Sequence, residues 1–504
     1  MTLTAPRNAV VILLDSLNRH MLGAYGGTEF ETPNLDRFSA SAVRFANHYT
    51  GSLPCMPARH DILCGALDFL WKPWGSVEIW EDAITYALRK AGVVSQLISD
   101  HPHLFESGGE NYHGDFTAWD YVRGHEGDAW KTRPDPSWAG APAFGRHWMP
   151  YDNSRGWFRS EEDFPGPKTM TAAARWIDEN AGAHERFFLF VDEFDPHEPF
   201  DTPEPWASKY DPDWEGPHLI WPPYIVGARK RGVLDDRQAR QIRAQYGAKL
   251  SMIDHWFGKL LDRIDANGLA DDTVVIVCTD HGHYLGEKDT WGKPGCPIYQ
   301  TLGHIPLMIR APGVAPGTCE ALTTAVDIYA TLTDLFGVTL RQRTHGRSLL
   351  PLLSGQATSV RDWLLTGVWG REVVLVNGRH KYVRGPAAAN GPLSMLSNRW
   401  STMPTHGALD PHEALPFPDR RAFLDRMPGS DLPVIHQRWE AGDAVPYWAR
   451  TRSGGNHVFD LVNDPGEEEN LNGDALEAEL AEQLHAVLTE MEAPKTQFER
   501  LGLS

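Results

Sequence analysis

The chain has 504 residues, of which 41% are hydrophobic and 23% charged, and its formal net charge is −20. This length predicts one large domain and one smaller domain, because single hydrophobic cores rarely grow beyond about 300 residues. Acidic residues outnumber basic ones and no Lys/Arg-rich block is present, which argues against binding to nucleic acid or to an anionic membrane surface.

Cysteine usage and the N-terminus bear on the compartment. The apolar run at 10–14 is too short for the core of a signal peptide, and no segment approaches the length that crosses a membrane. We therefore expect a soluble, cytoplasmic protein. The cysteines are odd in number and are not spaced as a disulfide framework; they are Cys55, Cys64, Cys278, Cys296 and Cys319.

The first chemical candidate follows the first predicted strand. Residues 9–14 form a continuous apolar run rich in β-branched side chains, which predicts a buried strand of a parallel or mixed sheet. Asp15 stands at the carboxyl end of this run, where open α/β sheets bind their ligands. A helix cap is the commoner role for such a residue, but an acid at the tip of a fully apolar strand favours a functional one.

A short motif carries the second candidate. Cys55, Pro57 and Arg59 form the pattern Cys-x-Pro-x-Arg, in which a small thiol precedes a stiffened turn and a nearby cation. A neighbouring cation lowers the pKa of a thiol and makes it a better nucleophile or metal ligand. Taken alone, a structural cysteine beside a turn is the commoner explanation of this pattern.

Three further predicted strands lead to polar residues. The run 93–98 precedes His101 and His103, and the run 186–191 precedes His197, which lies in a rigid His-x-Pro turn. His101 and His103, each taken alone, are more simply surface or core residues, whereas the pair favours a functional role.

The third of these strands is predicted at 273–279, and Asp280 and His281 follow it directly. Lys293 lies a dozen residues further on. The long amphipathic pattern at 236–264 predicts a helix whose apolar stripe belongs to the core rather than to the chemistry.

The remaining regions shape the periphery. Residues 108–166 are rich in Trp, Tyr and Gly, which predicts long loops over the mouth of a site. Beyond residue 360, short strands joined by turns are predicted. Leucine at every fourth position predicts a helix at 475–491 that packs on a small sheet. The stretch 386–450 is rich in Pro, His and Arg and predicts an irregular insertion.

These motifs together resemble the type I sulfatases of the alkaline phosphatase superfamily, close to arylsulfatases and phosphonate monoester hydrolases. The resemblance extends over nearly the whole chain. It implies an α/β fold in which a large mixed, mostly parallel sheet lies between helices. Residues 1–360 would form this catalytic domain, and residues 361–504 a smaller C-terminal α+β subdomain of antiparallel strands with one long helix.

The resemblance also implies a nucleophile and a metal site. In these enzymes the cysteine of the motif is oxidised to formylglycine, whose hydrate is the nucleophile and one ligand of a divalent metal ion. By resemblance, the metal ligands are Asp15, the residue derived from Cys55, Asp280 and His281.

Further roles are implied for the basic side chains. Arg59 would steady the nucleophile, and His197 and Lys293 would contact the sulfate and protonate the leaving alcohol. Either His101 or His103 would take up a proton when the sulfate is expelled.

Two departures from the family pattern leave the metal ion open. Ser16 stands where most members have a second Asp, and His281 stands where many have Asn. Type I sulfatases generally use calcium, whereas these two residues favour a transition ion such as manganese. Maturation would require a formylglycine-generating enzyme, and relatives of this size often form dimers or tetramers.

Several functions fit these features. Hydrolysis of a small-molecule sulfate ester is the leading hypothesis. The alternative within the superfamily is a phosphonate monoester hydrolase or phosphodiesterase with promiscuous sulfatase activity, since both substrates present a tetrahedral anion. A binding protein without catalysis would follow if Cys55 were never converted. A zinc or redox protein is disfavoured, because no cysteine pair has ligand spacing.

Overall fold

The computed structural model describes residues 6–133, 149–293, 295, 297–340, 343–388, 390–401, 418–443, 445, 449 and 455–504. Cys296 lies outside these ranges. Across the described ranges, no helix combines the length and the apolar character needed to cross a membrane.

The strands are numbered in chain order. They are β1 Asn8–Leu14, β2 Val43–Tyr49, β3 Ser52–Leu53, β4 Val94–Ser99, β5 Ala118–Tyr121, β6 Phe187–Glu193, β7 Ile225–Val226, β8 Thr273–Cys278, β9 Tyr284–Leu285, β10 Thr290–Gly292, β11 Leu307–Arg310, β12 Gly317–Thr324, β13 Leu364–Val368, β14 Val373–Val376, β15 His380–Arg384, β16 Leu393–Ser397, β17 Phe423–Arg426, β18 Pro433–Trp439 and β19 His457–Asp460.

The α-helices are numbered in the same way. They are α1 Pro33–Ser39, α2 Cys55–Cys64, α3 Ile84–Lys90, α4 Met149–Arg155, α5 Pro165–Asn180, α6 Asp236–Ala266, α7 Gln300–Gly303, α8 Val326–Phe336, α9 Leu350–Leu353, α10 Asp474–Glu490 and α11 Lys495–Leu501.

One large sheet organises the N-terminal part of the chain. Its strand order is β12-β2-β11-β8-β1-β6-β4-β5. Neighbouring strands pair in parallel except at β11, which is antiparallel to both β8 and β2. The expectation of a mixed, mostly parallel sheet is therefore confirmed.

Both faces of this sheet are covered, which explains why β1 has no polar face. Ala9, Val11 and Leu13 contribute to one hydrophobic core, in which residues of α2, α3 and α8 also lie. Val10 and Ile12 point into a second core with residues of α1, α5 and α6. Strands buried on both faces read as continuous apolar runs, so the helical layers on the two sides account for the sequence pattern.

The C-terminal part of the chain forms two smaller sheets. Strands β13, β14, β15 and β19 pair antiparallel, and β3 joins the same sheet by parallel pairing with β13. Leu480, Leu484 and Leu488 of α10 pack into a core with residues of this sheet, as the leucine spacing predicts. Because β3 precedes Cys55 directly, the C-terminal sheet reaches the nucleophile turn. The boundary between residues 360 and 361 stays a prediction.

The structure differs from the sequence-based expectation in two regions. Residues 108–166 were expected to form loops, yet β5 pairs in parallel with β4 at the edge of the main sheet and α4 lies in the same region. The stretch 386–450 was expected to be irregular, yet it holds the antiparallel sheet β16-β18-β17. Both β5 and β17 are largely exposed, so neither has the apolar periodicity from which a strand is recognised.

Candidate active site

The candidate site lies where neighbouring parallel strands end. β1 lies between β8 and β6, with Leu13 in register with both Cys278 and Asp192. Asp15 therefore follows β1 at the same edge at which Asp280 follows β8. All three carboxylates of this edge, Asp15, Asp192 and Asp280, are inaccessible to solvent. Carboxyl ends of parallel strands meet at one edge, so the strand order brings together acids that are far apart in sequence.

Arg59 is the centre of this acidic group. Helix α2 begins at Cys55 and places the fully buried guanidinium of Arg59 among the three carboxylates. Arg59 Nη2 and Nε donate to Asp192 at 2.7 and 2.8 Å. Arg59 Nη1 donates to Asp280 Oδ2 at 2.9 Å, and Nη2 lies 3.0 Å from Asp15 Oδ2. These three carboxylates outweigh the effect of burial and raise the pKa of Arg59, so it remains charged.

The four residues expected to bind a metal ion lie together. Asp15, Cys55, Asp280 and His281 each offer a ligand atom within 4.8 Å of the other three, and all four residues are buried. Cys55 Sγ lies 3.2 Å from His281 Nε2. His281 Nδ1 is 2.9 Å from the carbonyl oxygen of Gly282. Since that oxygen can only accept, Nδ1 carries the proton and Nε2 presents a lone pair to the cluster.

The charges of the cluster fit a divalent cation. Among the described residues, the buried carboxylates of Asp15, Asp192, Asp280 and Glu198 face two permanently charged basic groups, Arg59 and Lys293. Buried charge without compensation is costly, and two negative charges remain uncompensated. Burial and the neighbouring Asp280 also raise the pKa of Asp15, which a bound cation would reverse.

The Cys-x-Pro-x-Arg motif led us to expect that Arg59 activates the thiol of Cys55, but the structure shows no such activation. Burial raises the pKa of Cys55 well above its ordinary value, and the charge of Asp15 adds to this effect, whereas Lys293 and Arg59 oppose it. Arg59 opposes these effects less than Lys293 does, and its charge is shared among three carboxylates. The unmodified residue is therefore a protonated thiol and a poor nucleophile.

Lys293 contacts the cluster through Ser16. Its Nζ donates to Ser16 Oγ at 2.9 Å, and the Ser16 hydroxyl donates to Asp15 Oδ1 at 2.7 Å. Lys293 Nζ also lies 3.6 Å from Glu198 Oε1. Burial opposes charge on Lys293, but the negative charges around it, Glu198 first and then others that include Asp15 and Asp280, together outweigh burial and raise its pKa. Ser16 thus links the lysine to Asp15 at the position where a second acid was expected.

His197 lies beside Lys293 and Glu198. Its Nδ1 is 2.6 Å from the carbonyl oxygen of Glu198, which fixes the proton of the neutral ring on Nδ1. Burial, followed by the charge of Lys293, holds the pKa of His197 well below its usual range. Nε2 of the neutral ring can therefore accept a proton but must be protonated before it can donate one.

The structure separates the two candidate histidines that follow β4. His103 pairs with Glu106 through Nδ1 and with Glu126 through Nε2 at 3.3 Å, and these acids raise its pKa to about 9 despite burial. His101 is fully buried and lies 3.9 Å from Asp192. Neither of its ring nitrogens has a hydrogen bond among the described residues. Of the two histidines, His101 is therefore the one that lies next to the Arg59 cluster and whose ring nitrogens are available to a reacting group.

Comparison with known proteins gives a consistent result. The family model named Sulfatase matches residues 7–338. This chain belongs to the sulfatase family. Choline-sulfatase of Rhizobium meliloti is 28% identical over 75% of this chain and 78% of its own length. The multifunctional alkaline phosphatase superfamily protein PehA of Trinickia caryophylli is 26% identical over 71% of this chain and 78% of its own length.

Solved structures share the fold of this sulfatase-family chain. The crystal structure of the phosphonate monoester hydrolase of Agrobacterium radiobacter matches with a TM-score of 0.63 at 19% identity and covers 96% of both chains. A 2-O GAG sulfatase matches with a TM-score of 0.62 at 15% identity, covering 97% of this chain and 93% of its own. These similarities confirm the alkaline-phosphatase-like architecture.

Two acids of the site were missed from the sequence. Asp192 pairs with Arg59 through two hydrogen bonds, and Glu198 lies between Lys293 and His283. Asp192 ends an apolar run just as Asp15 follows one, so the same signal was present. For Glu198 no pattern in the sequence indicated a role. Although burial opposes it, Lys293 and the hydrogen bond with His283 lower the pKa of Glu198 to about 2.

A small cavity of about 20 Å³ adjoins the cluster. Its polar wall consists of His281, Lys293 and Arg371, and Arg371 comes from the turn between β13 and β14. The remaining wall is apolar or glycine, with Leu53, Pro54, Gly295, Leu302 and Val368. Both parts of the chain therefore line the space beside the nucleophile turn.

Proposed function

We propose that this protein hydrolyses small-molecule sulfate monoesters in the manner of an arylsulfatase, after Cys55 has been converted to formylglycine. The observation that carries the proposal is the position of Cys55. It begins α2 beside His281, within reach of Asp15 and Asp280, and burial with the charge of Asp15 raises the pKa of its thiol well above the ordinary value. A formylglycine hydrate at this position would supply a nucleophilic oxygen and a second hydroxyl; loss of the proton from the second hydroxyl would re-form the aldehyde and break the C–O bond to the sulfate.

Asp15, Asp280, His281 and residue 55 would hold one divalent cation, calcium or manganese. Such a cation polarises the sulfate oxygens and lowers the pKa of a bound hydroxyl. The donor set of two carboxylates and one imidazole is compatible with either metal, and the imidazole favours manganese.

The remaining basic residues would each have a separate role in the reaction. Arg59 remains charged next to residue 55 and stabilises negative charge that develops there. The ammonium group of Lys293 contacts the nonbridging oxygens of the ester. Lys293, which is already protonated, and His197, after taking up at Nε2 the proton that the attacking hydroxyl releases, would protonate the leaving alcohol, and His101 would accept the proton released when sulfate departs.

Hydrolysis of phosphonate monoesters or phosphodiesters is the second candidate. It is favoured by the Asp280–His281 pair at the cluster, because superfamily members acting on phosphorus often pair Asp with His. The similarity to PehA, a multifunctional member of the superfamily, supports it as well. We further propose that a formylglycine-generating enzyme matures this protein. The mature protein would act in the cytoplasm and assemble as a dimer or tetramer.

The decisive experiment combines mass spectrometry with kinetics. The protein is coexpressed with a formylglycine-generating enzyme, and the tryptic peptide of residues 45–59 is weighed. A loss of about 18 Da relative to the thiol is expected for the aldehyde. The same sample should turn over 4-nitrophenyl sulfate faster than a phenylphosphonate monoester, whereas Cys55→Ala should turn over neither. The second candidate takes precedence if the phosphonate ester is the better substrate.

The proposal fails if Cys55 remains a thiol and neither ester is hydrolysed. It also fails if Cys55→Ala retains the activity. Cys319→Ser is the matched control, since Cys319 is only partly buried at the far edge of the sheet and the proposal gives it no role.

A further inference from the structure

Three aromatic rings form a stack beside the Arg59 cluster. The ring of Phe194 lies between two imidazoles, 4.2 Å from His101 and 4.0 Å from His197 measured between ring centroids. The corresponding interplanar angles are 31° and 20°. A third imidazole, that of His125, meets the Phe194 ring edge-on at 4.7 Å. Phe194 is fully buried.

Packing rather than hydrogen bonding sets the orientation of His101. Neither ring nitrogen of His101 has a hydrogen-bond partner among the described residues. Rotation of an imidazole about χ2 has a broad energy profile, so contacts must select one orientation. Phe194 covers one face of the ring, and His103 meets it edge-on at 5.2 Å.

Phe194 is itself held in place by the backbone. Its N–H donates to Asp100 Oδ1 at 2.8 Å, and its carbonyl accepts the N–H of His197 at 2.9 Å. The next residue, Asp195, is tied to His125 and Lys249 at 2.7 Å each. The segment after β6 is therefore anchored to the segment after β4, and the ring of Phe194 lies at the joint between them.

From this geometry we propose that Phe194 is a positioning residue, which holds the His101 and His197 rings in the orientation that proton transfer requires. An ordinary core phenylalanine contacts aliphatic and aromatic side chains on both faces, whereas this ring contacts an imidazole on each face. The inference rests on the proposed function, because it assigns Phe194 to the same reaction.

The consequence concerns the leaving group. Misplacement of a proton donor slows a reaction most when the leaving alcohol is a strong base that needs the proton, and least when it departs readily as an anion. Loss of the flat ring should therefore depress kcat more for sulfate esters of basic alcohols than for 4-nitrophenyl sulfate. Displacement of a catalytic group by about 1 Å can cost on the order of 100-fold in rate.

The test uses Phe194→Leu, Phe194→Met and Phe194→Tyr, with Phe190→Leu as the control. Phe190 is buried in the same strand region and stacks on Phe116 and Phe188, away from the histidines. For Leu and Met we expect a fall in kcat of about 10- to 100-fold for unactivated aryl sulfates and less than about 3-fold for 4-nitrophenyl sulfate, with little change in KM. Phe194→Tyr keeps the aromatic face and should retain most of the activity. Leu and Met are similar in volume but differ in branching and flexibility, so one of them can serve if the other does not fold.

The inference is overturned if the losses in the Leu and Met variants do not depend on the leaving group, or if Phe190→Leu shows the same dependence. It is also overturned if the Tyr variant loses as much as the Leu variant. Failure of the proposed function would look different, because wild-type protein with formylglycine at position 55 would then turn over no sulfate ester at all.

Discussion

Asp192 accepts hydrogen bonds from both Nη2 and Nε of Arg59, at 2.7 and 2.8 Å, and both side chains are sealed from solvent. This pair holds Arg59 in front of Asp15 and Asp280 rather than allowing it to neutralise them fully. Removing one partner of a buried ion pair leaves the other charge uncompensated. The pair therefore determines both the stability of the site and the charge available to a metal ion.

The first prediction concerns this pair. Asp192→Asn should lower the free energy of unfolding by about 3 kcal/mol, near the lower end for a broken buried pair because Arg59 keeps two other carboxylates. It should also reduce metal affinity, since Arg59 then binds Asp15 and Asp280 more tightly. Urea unfolding and metal titration measure the two effects.

The control for Asp192→Asn is Asp178→Asn, which breaks a similar two-point pair with Arg263 on the surface. Exposed pairs contribute little, so neither unfolding nor metal affinity should change. Equal effects of the two substitutions would show that burial of the Arg59 pair has no special importance.

The second prediction concerns pH. Glu106 and Glu126 raise the pKa of His103 to about 9 in the folded protein, against an ordinary value of 6.5. A group whose pKa is higher in the folded state than in the unfolded state stabilises the fold fully at pH values below its unfolded-state pKa. This stabilisation is lost as the pH rises through the folded-state pKa. His103→Gln should therefore cost on the order of 3 kcal/mol at pH 6 and progressively less between pH 6.5 and 9.

Urea unfolding of wild type and His103→Gln at pH 6, 7.5 and 9 measures this difference. His255→Gln is the control, because His255 is exposed on α6, and it should change the free energy of unfolding by less than about 0.5 kcal/mol. A deficit of His103→Gln that stays constant from pH 6 to 9 would mean that His103 is not protonated in the native protein.

The third prediction concerns the metal ion. Protein stripped with EDTA should gain thermal stability when calcium or manganese is added, by about 2.7 kcal/mol at one hundred times the dissociation constant. Asp280→Asn should abolish this gain, because it removes a charged ligand from the four-residue cluster. Differential scanning calorimetry with each metal measures the shift and identifies the preferred ion.

Asp327→Asn is the matched control for the metal experiment. Asp327 is fully buried and paired with Arg361, outside the metal cluster. This variant should be less stable than wild type yet keep the full metal-dependent gain. A gain that survives in Asp280→Asn would place the metal elsewhere.

The fourth prediction concerns α10. Leu484 is fully buried in the core beneath the C-terminal sheet. Leu484→Ala should lower the free energy of unfolding by about 2–5 kcal/mol, because it removes packed apolar volume and leaves a cavity. Val462→Ala is the exposed control, with 66% of the residue accessible, and should change stability by less than about 0.5 kcal/mol. Chemical denaturation compares the two.

The sequence alone determined the central strands and was enough to propose the main residues of the candidate site. Residues 9–14 and 273–279 are apolar throughout because both faces of the sheet are covered by helices, and such runs need no tertiary information to be recognised. Asp15 and Asp280 follow these strands directly, and the Cys-x-Pro-x-Arg spacing places Arg59 one helical turn after Cys55. Local pattern together with the family resemblance was sufficient to propose Asp15, Asp280 and Arg59, whereas Asp192, which ends a strand in the same way, was missed.

Only the tertiary structure decided the rest. Asp192 rather than solvent faces Arg59 because of the strand order. In this order β6 lies beside β1, although more than 170 residues separate the two strands in sequence. The choice of His101 over His103 as the active-site histidine depends on Glu106 and Glu126, which form ion pairs with His103 and not with His101. Pairing of distant segments creates these contacts, and no periodicity within a single segment encodes them.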